Sequence, residues 1–271
     1  MYDGDAMFND MKIVATRLLH TKLFWAGALA FAFLYAMFKQ GPGNDTATPT
    51  ATDVSYNKEL PIYCVDSDEK VVALSFDAAW GNEDTAQILE ILKKNDVKVT
   101  FFMTGGWVES FPDDVKAIAA AGHELGNHSQ NHKNMSQLSA EECKQELMSV
   151  HNTVKELTGV DMELFRPPYG DYDDVVVKTT YECVYYPIQW SIDSLDWKNN
   201  GIDNLIDTVV NHKALDNGAI ILMHNGAKYT ASALQSIIDG LKEKGYTFVT
   251  ISELIMRENY AIDHTGKQIA K

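Results

Sequence analysis

Strand and helix patterns alternate from about Leu60 to Asn259, and this alternation constrains the fold more than any other feature of the sequence. The strand patterns are short and rich in β-branched and aromatic residues, as in VVALSF at 71–76 and AIILMH at 219–224. Strands that alternate with helices in this way predict βαβ units and a parallel sheet. Seven such units in roughly 190 residues favour a closed or nearly closed barrel, with an open doubly wound sheet as the alternative. The predicted strands lie at 71–76, 99–103, 123–128, 164–169, 185–191, 219–224 and 246–251.

Ionisable residues concentrate at the carboxyl ends of the predicted strands. The loops at the carboxyl ends of barrel strands converge on one mouth, so residues from different strands meet there. The residues placed in this way are Asp77, His128, Arg166, Asp193, Asp196 and His224. Chance placement would scatter such residues along the strands. The pattern therefore predicts one functional site at this end of the sheet.

Two histidines, His128 and His132, lie four residues apart in GNHSQNH. On a helical turn this spacing puts both imidazoles on one face, where they could share a metal ion. The spacing is also common for histidines that are surface residues or hydrogen-bonded core residues. The pair alone leaves both interpretations open.

The other polar motifs suit acid–base chemistry. Arg166, in RPPYG, offers a fixed fork of donors that can orient a carboxylate. The two prolines hold the following backbone rigid, so an amide there could face a developing oxyanion. An acid near His224 would keep that imidazole protonated, as a general acid requires. Each motif taken singly also has a structural interpretation, such as a proline corner or solvated loop acids.

The ordered set of motifs is more specific than any single one. SFD at 75–77, HxxxH at 128–132, RPPYG at 166–170, DxxDW at 193–197 and a hydrophobic tripeptide before His224 occur in this order. This set resembles the polysaccharide deacetylases of carbohydrate esterase family 4, which share the NodB homology domain. The resemblance covers about residues 68–256 and implies a distorted, TIM-like (β/α)7 barrel. The segments SFDAAWGNEDT and ILMHNGAKYT are most similar to the sporulation-associated branch of that family.

The resemblance implies a role for each matching residue. Asp77 matches the catalytic base, His224 the general acid, Arg166 the residue that orients the base, and Asp196 the acid that tunes the histidine. His128 and His132 match the imidazole ligands of a divalent metal ion of the zinc, cobalt or nickel type. Tyr169 matches the residue whose backbone amide faces the oxyanion, and Trp197 a wall of the substrate pocket. The implied reaction is metal-assisted hydrolysis of N-acetyl groups on a cell-wall glycan, peptidoglycan or chitin-like, which releases acetate and a free amino sugar.

The sequence departs from the family pattern at one position. The family has two adjacent acids after the first strand, a base and the only carboxylate ligand of the metal, and here the second is Ala78. Two neutral nitrogens bind zinc weakly unless another group joins them. Three outcomes stay open: Asp77 becomes a ligand, Glu83 or Asp84 takes the vacant role, or the domain is catalytically impaired and binds or scaffolds glycan without cleaving it.

The segment 23–38 (LFWAGALAFAFLYAMF) is uncharged and mostly apolar, and it follows Lys12, Arg17 and Lys22. By the positive-inside rule, the basic side stays in the cytoplasm and the remainder is exported. The segment is short for a hydrocarbon core of about 30 Å, so a signal peptide is the alternative, but no small-x-small cleavage site follows it. We expect a single N-terminal transmembrane helix in the cell membrane and an extracytoplasmic C-terminal domain. The predicted organisation is a cytoplasmic N-terminus at 1–22, an anchor at 23–38, a linker at 39–59, the barrel at 60–260 and a tail at 261–271.

Composition narrows the range of partners. The formal net charge is −15, from 38 acidic and 23 basic residues. This balance argues against nucleic acid and anionic membrane surfaces as partners of the folded part. Three scattered cysteines are too few for a disulfide scaffold or a CxxC metal site. The expected partners are a cell-wall glycan and, through residues 23–38, the membrane.

Overall fold

A computed structural model describes residues 59–271 and shows an α/β fold. The strands are β1 (Cys64–Val65), β2 (Val71–Ala78), β3 (Thr100–Met103), β4 (Glu124–Asn127), β5 (Leu164–Phe165), β6 (Tyr186–Pro187), β7 (Ile192–Asp193), β8 (Ala219–His224), β9 (Thr247–Phe248), β10 (Tyr260–Ile262) and β11 (Lys267–Ala270). The helices are α1 (Thr85–Asn95), α2 (Gly105–Ser110), α3 (Pro112–Ala120), α4 (Ala140–Thr158), α5 (Asp174–Glu182), α6 (Ile202–Val210), α7 (Thr230–Glu243) and α8 (Ile251–Leu254).

The strands form one curled sheet. Its order is β10-β11-β1-β8-β2-β3-β4-β5-β6, with β7 also paired to β8 and β9 to β2. The strands from β8 to β6 in this order run parallel, whereas β1 is antiparallel to β8. A single bridge between Ile62 and Ile188 joins the chain before β1 to the chain after β6. The predicted α/β fold is therefore confirmed, and its sheet is a curled half-barrel.

Alternation along β2 brings Asp77 to the inner face of this sheet. Val72, Leu74 and Phe76 pack in the apolar layer that also contains helix residues. Ser75 and Asp77 occupy the alternate positions and so face the other side, towards the inside of the curl. Strands buried on both faces need nearly continuous apolar sequence, which explains why β2 contains so few polar residues. The polar side chains on the inner face are thus concentrated at the carboxyl end of the strand.

The longest helix, α4, has clear start and stop signals. Its N-cap Ser139 accepts from the Glu142 backbone amide, and the Glu142 side chain accepts from the Ser139 amide, which completes a capping box. At the other end, Gly159 adopts a left-handed conformation with φ of 76°. Glycine enters this conformation without steric penalty, so it ends the helix. These caps define both ends of α4.

The C-terminal residues belong to the sheet. The segment 261–271 was predicted to be a tail, but β10 and β11 form an antiparallel pair, and β11 runs parallel to β1. Gln268 on β11 is fully buried. Its side-chain oxygen accepts from Met256 N at 2.7 Å, and its side-chain nitrogen donates to Met256 O at 2.9 Å. The last strand is therefore tied to the chain that follows α8.

The predicted anchor at 23–38, with the segments 1–22 and 39–58, lies outside the described residues. None of the helices within residues 59–271 combines the length and the apolar character that a bilayer crossing requires.

Replacing Gln268 with alanine should destabilise the domain by about 2 kcal/mol, because the substitution leaves two backbone groups of Met256 without their partner. Urea denaturation followed by circular dichroism measures this change. The matched control is Gln87→Ala on the exposed face of α1, which should change the free energy of unfolding by less than about 0.5 kcal/mol. Equal effects of the two substitutions would contradict the structural role of Gln268.

Candidate active site

The predicted site residues come together at the carboxyl ends of the parallel strands. Asp77 and His224 occupy paired positions on the neighbouring strands β2 and β8. His128 directly follows β4, and Arg166 directly follows β5. A cavity of about 510 Å³ opens at this point. It is lined by Asp77, Trp80, His128, His132, Tyr169, Trp190, Asp193, Trp197, Leu222 and His224.

Arg166 is fully buried and holds the carboxylate of Asp77. Its Nη1 donates to Asp77 Oδ1 at 2.7 Å, and its Nη2 donates to Ser75 Oγ at 2.8 Å. The guanidinium also lies over the Phe102 ring, with Cζ 4.1 Å from the ring centroid. A buried charge is tolerated only when it is paired and hydrogen-bonded. Arg166 and Asp77 therefore fix each other's position.

Asp77 is ionised at neutral pH. Burial by itself raises the pKa of a carboxyl group, but the charge of Arg166 lowers the pKa of Asp77 below its ordinary value, and electrostatic interaction with the His128 and His224 rings acts in the same direction. Oδ1 is engaged by Arg166, whereas Oδ2 lies 3.5 Å from His128 Nε2. One carboxylate oxygen is thus held, and the other faces the imidazole.

His128 is a neutral imidazole with a fixed tautomer. Burial lowers the pKa of His128 to about 4. Its Nδ1 lies 2.7 Å from the Arg166 carbonyl oxygen, and since a carbonyl can only accept, Nδ1 carries the hydrogen. Nε2 therefore presents a lone pair to Asp77 Oδ2, so their contact is not an ion pair at neutral pH. Two acceptors that face each other suit a bound cation or a shared proton.

His132 lies beside His128, but on a loop. The two histidines do not share a helical turn, because Ser129 and His132 both have positive φ values, of 65° and 52°. The His132 amide donates to Ser129 Oγ at 3.0 Å, and the buried Glu146 carboxylate accepts from the Asn131 amide at 2.7 Å. The ring centroids of the two histidines are 5.0 Å apart. Hydrogen bonds within the loop and to α4, rather than helical periodicity, bring the imidazoles together.

His224 is paired with Asp196. Its Nδ1 lies 2.7 Å from Asp196 Oδ1, and its backbone amide donates to Oδ2 at 2.7 Å. Thr230 Oγ1 also donates to Oδ2 at 2.7 Å. Burial by itself lowers the pKa of His224, but the hydrogen bond and the charge of Asp196 raise it above the ordinary value. The imidazole is therefore biased towards its protonated form.

Aromatic side chains form the rim of the cavity. Tyr169, with φ of 60° in the turn Pro168–Gly170, is 69% exposed, and its ring is 4.5 Å from that of His132. Trp197 is 49% exposed and Trp80 is 53% exposed. Sequence reasoning named Tyr169 and Trp197 but missed Trp80 and Trp190. Trp80 could have been identified from its position in the loop directly after β2, the strand that carries Asp77.

The described residues do not complete a metal site. Ala78 is fully buried in the apolar layer and supplies no donor atom. Glu83 and Asp84 are not among the residues that line the cavity, and Asp84 Oδ1 accepts from the Gly226 amide at 2.7 Å. Catalytic zinc sites ordinarily use three protein ligands. No group of three or more histidine, cysteine or acidic side chains positioned to hold a metal ion occurs within residues 59–271.

A family model and the similar known proteins point to the same family. The polysaccharide deacetylase family model matches residues 65–188. The peptidoglycan-N-acetylmuramic acid deacetylase PdaA of Bacillus subtilis is 36% identical over 200 residues, which cover 72% of this chain and 75% of that protein. A peptidoglycan-N-acetylglucosamine deacetylase of Bacillus cereus is 36% identical over 196 residues, which cover 70% of this chain and 91% of that protein.

Among solved structures, a CE4 family pseudoenzyme from Bacillus anthracis is similar to this chain. It is 40% identical, with a TM-score of 0.69 over 72% of this chain and 68% of that one. A mutant of a CE4 family pseudoenzyme, described as having restored enzymatic activity, is 41% identical with the same TM-score over 72% of this chain and 70% of that one. The similar structures thus include a protein named for its lack of activity.

Replacing Asp196 with asparagine should lower the pKa of His224, because the substitution removes the charge that offsets burial. Proton NMR titration of the imidazole resonances measures this pKa, with the exposed Asp203→Asn as the matched control. A group with a raised pKa stabilises the folded state below its unfolded pKa, and that contribution is lost as the pH rises through the folded pKa. Asp196→Asn should therefore weaken the pH dependence of stability in this range. An unchanged His224 titration would contradict the pairing.

Proposed function

The chain belongs to the polysaccharide deacetylase family, and from this premise we propose that it hydrolyses the N-acetyl group of an amino sugar in a cell-wall polysaccharide. One observation carries the proposal. A carboxylate held by an arginine and an imidazole held by a second carboxylate occupy paired positions on β2 and β8 and line one cavity. This is the combination of base and acid that amide hydrolysis requires.

Asp77 is the proposed base. Arg166 fixes the carboxylate through Oδ1 and keeps it ionised, so Oδ2 is the atom that accepts a proton from the attacking water. The water oxygen then bonds to the acetyl carbon, and the carbonyl oxygen becomes an oxyanion. We assign stabilisation of that oxyanion to the backbone amide of Tyr169, which lies on the rigid turn after Arg166 and lines the cavity.

His224 is the proposed acid. Because Asp196 engages Nδ1 and favours the protonated ring, Nε2 is the atom that donates a proton to the departing nitrogen. The C–N bond breaks as this proton arrives, which yields acetate and a free amino group. Trp197 would act as a wall of the sugar pocket. The proton taken up by Asp77 and the proton given by His224 balance over the reaction.

A second candidate function is glycan binding or scaffolding without turnover. Two observations favour it: Ala78 leaves the site short of a ligand, and a pseudoenzyme is among the similar structures. In the proposed enzyme, His128 and His132 would hold the divalent metal of the zinc, cobalt or nickel type that the family implies. The residues present do not complete its ligand set, so binding of that metal is the point on which the two candidates differ.

The location and cellular context of the domain are part of the proposal. Residues 23–38 would anchor the protein in the cell membrane in a single pass and leave the domain on the extracytoplasmic side, where cell-wall glycan is found. The basic residues before the segment support this orientation. The motifs SFDAAWGNEDT and ILMHNGAKYT support a role in sporulation.

The purified protein, supplied with zinc, cobalt or nickel, should release acetate from peptidoglycan fragments or chitooligomers. Asp77→Asn and His224→Ala should each reduce the rate by at least 100-fold, since general acid–base catalysis contributes on the order of 10² to 10⁴. The carboxylate-to-amide control is Glu90→Gln, on the exposed face of α1. Glycan binding with no acetate release under all three metals would favour the second candidate.

Replacing Ala78 with aspartate tests whether the missing carboxylate is what limits metal binding. Without metal, a buried carboxylate that lacks a partner should lower the free energy of unfolding by several kcal/mol. Zinc should restore stability if the carboxylate joins His128 and His132, because a ligand that binds the folded state stabilises it. Thermal unfolding with zinc or a chelator measures this effect.

The matched control for this substitution is Ala78→Asn, because asparagine has nearly the same volume as aspartate but no charge. It should show a smaller zinc-dependent shift, and adding His128→Ala to the aspartate variant should abolish the shift. Equal zinc responses of the wild type and Ala78→Asp would contradict the view that Ala78 limits metal binding.

A further inference from the structure

A second cavity adjoins the proposed active site. Its volume is about 300 Å³. It is lined by Trp80, Trp197, Asn199, Gly226, Ala227 and Lys228. Trp80 and Trp197 also line the first cavity, so the two cavities share two aromatic walls. A polymer chain that occupies the first cavity can therefore continue into the second.

Trp80 is held at this boundary by its neighbours. The Gly81 carbonyl next to it accepts from Trp107 Nε1 at 3.1 Å and from Asn225 Nδ2 at 3.3 Å. Gly226, with φ of 77°, packs so closely that an added Cβ would lie 3.1 Å from Gly81 O. The loop after β2 and the loop after β8 are thus joined. Half of the Trp80 surface nevertheless stays exposed between the cavities, where its ring is 5.2 Å from that of His224.

Exposed indole rings that are fixed in place suit a sugar ligand. Most large apolar side chains of a soluble domain are buried, and a cluster of exposed ones on a concave surface indicates a binding site. An indole offers a flat apolar face for the C–H groups of a pyranose together with a polar N–H at its edge. Trp80 and Trp197 can therefore contact the acetylated sugar on one side and its neighbour on the other.

A cationic side chain lines the second cavity. Lys228 is the charged residue among those that line it. Lys228 Nζ lies 4.9 Å from the Tyr229 ring centroid, and the ammonium has no carboxylate partner within residues 59–271. Lys198 adds a second cation nearby, with Nζ 5.0 Å from the Trp197 ring centroid. In a chain with a net charge of −15, two unpaired cations beside this cavity favour an anionic group.

We propose that the second cavity binds the sugar next to the N-acetylated one, and that Lys228 pairs with a carboxylate attached directly to that neighbouring sugar. The inference rests on the proposed function and narrows its substrate to a glycan in which an acidic sugar adjoins an N-acetyl amino sugar. Lys228 would attract the carboxylate to the second cavity, so this contact would favour one direction of the glycan chain. A strand of N-acetylglucosamine and muramic acid freed of its peptides has this chemistry, whereas chitin does not.

Calorimetric titration of the full-length protein tests the inference with two probes of equal length: a neutral N-acetylglucosamine tetramer and a peptide-free peptidoglycan tetramer with free lactyl carboxylates. The wild type should bind the acidic tetramer roughly threefold to fivefold more tightly at low salt, as expected for one exposed ion pair. The preference should shrink as salt is raised. A peptidoglycan tetramer that keeps its peptides, which block the lactyl carboxylates, should lose the preference.

Three variants test whether Lys228 causes the preference for the acidic tetramer. Lys228→Gln should bind the acidic tetramer no more tightly than the wild type binds the neutral one. Lys228→Arg should keep the preference, and the control Lys178→Gln, at an exposed position on α5, should leave it unchanged. A wild type that binds both tetramers equally, or a preference that survives in Lys228→Gln, would overturn this inference alone. An equal preference for the peptide-bearing tetramer would also overturn it, in favour of a peptide carboxylate. Binding of neither tetramer would overturn the proposed function as well.

Discussion

The buried guanidinium of Arg166 is the interaction on which the site depends. It reaches from the end of β5 to Asp77 and Ser75 on β2, and it also donates to the Gln189 carbonyl at 3.3 Å. The backbone carbonyl of the same residue fixes the tautomer of His128. One residue thus positions a carboxylate and an imidazole that come from different strands. Loss of its side chain would leave Asp77 buried without a partner, a situation that typically costs about 3–5 kcal/mol.

The same interaction explains how the site tolerates alanine at position 78. Asp77 and Arg166 cancel each other's charge, and the lowered pKa values keep His128 and His132 neutral. The buried site therefore has no net charge in the absence of a cation. A second carboxylate at position 78 would leave an uncompensated negative charge, which only a bound cation or a proton could balance. The fold with Ala78 is electrostatically stable without metal, whereas a site with two acids would be stabilised by metal.

Physical reasoning from the sequence was most accurate where burial dictates the pattern. The buried strand predicted at 219–224 is β8 with the same bounds, and the strand predicted at 71–76 extends to Ala78 in β2. The clustering of Asp77, Arg166 and His224 followed from the convergence of strand ends. The conformation of the His132 loop was not predicted, because it depends on hydrogen bonds to Ser129 within the motif and to Glu146 on α4 rather than on helical periodicity. The pairing of β11 with β1 was also missed, because a four-residue strand has little periodicity to detect.

The side chains of the site differ in whether the stability of the fold alone explains their presence. Asp77 balances a buried arginine, and Asp196 accepts from the His224 amide and from Thr230, so both would stabilise a domain that only bound glycan. His224 is different: its Nδ1 is engaged, but within the described chain Nε2 has no hydrogen-bond partner, and the ring lines the cavity beside Trp80. The pairing with Asp196 stabilises the fold through Nδ1, but it gives no structural reason for Nε2 to face a ligand pocket. Its chemistry is that of a proton donor, so His224 favours turnover over binding alone.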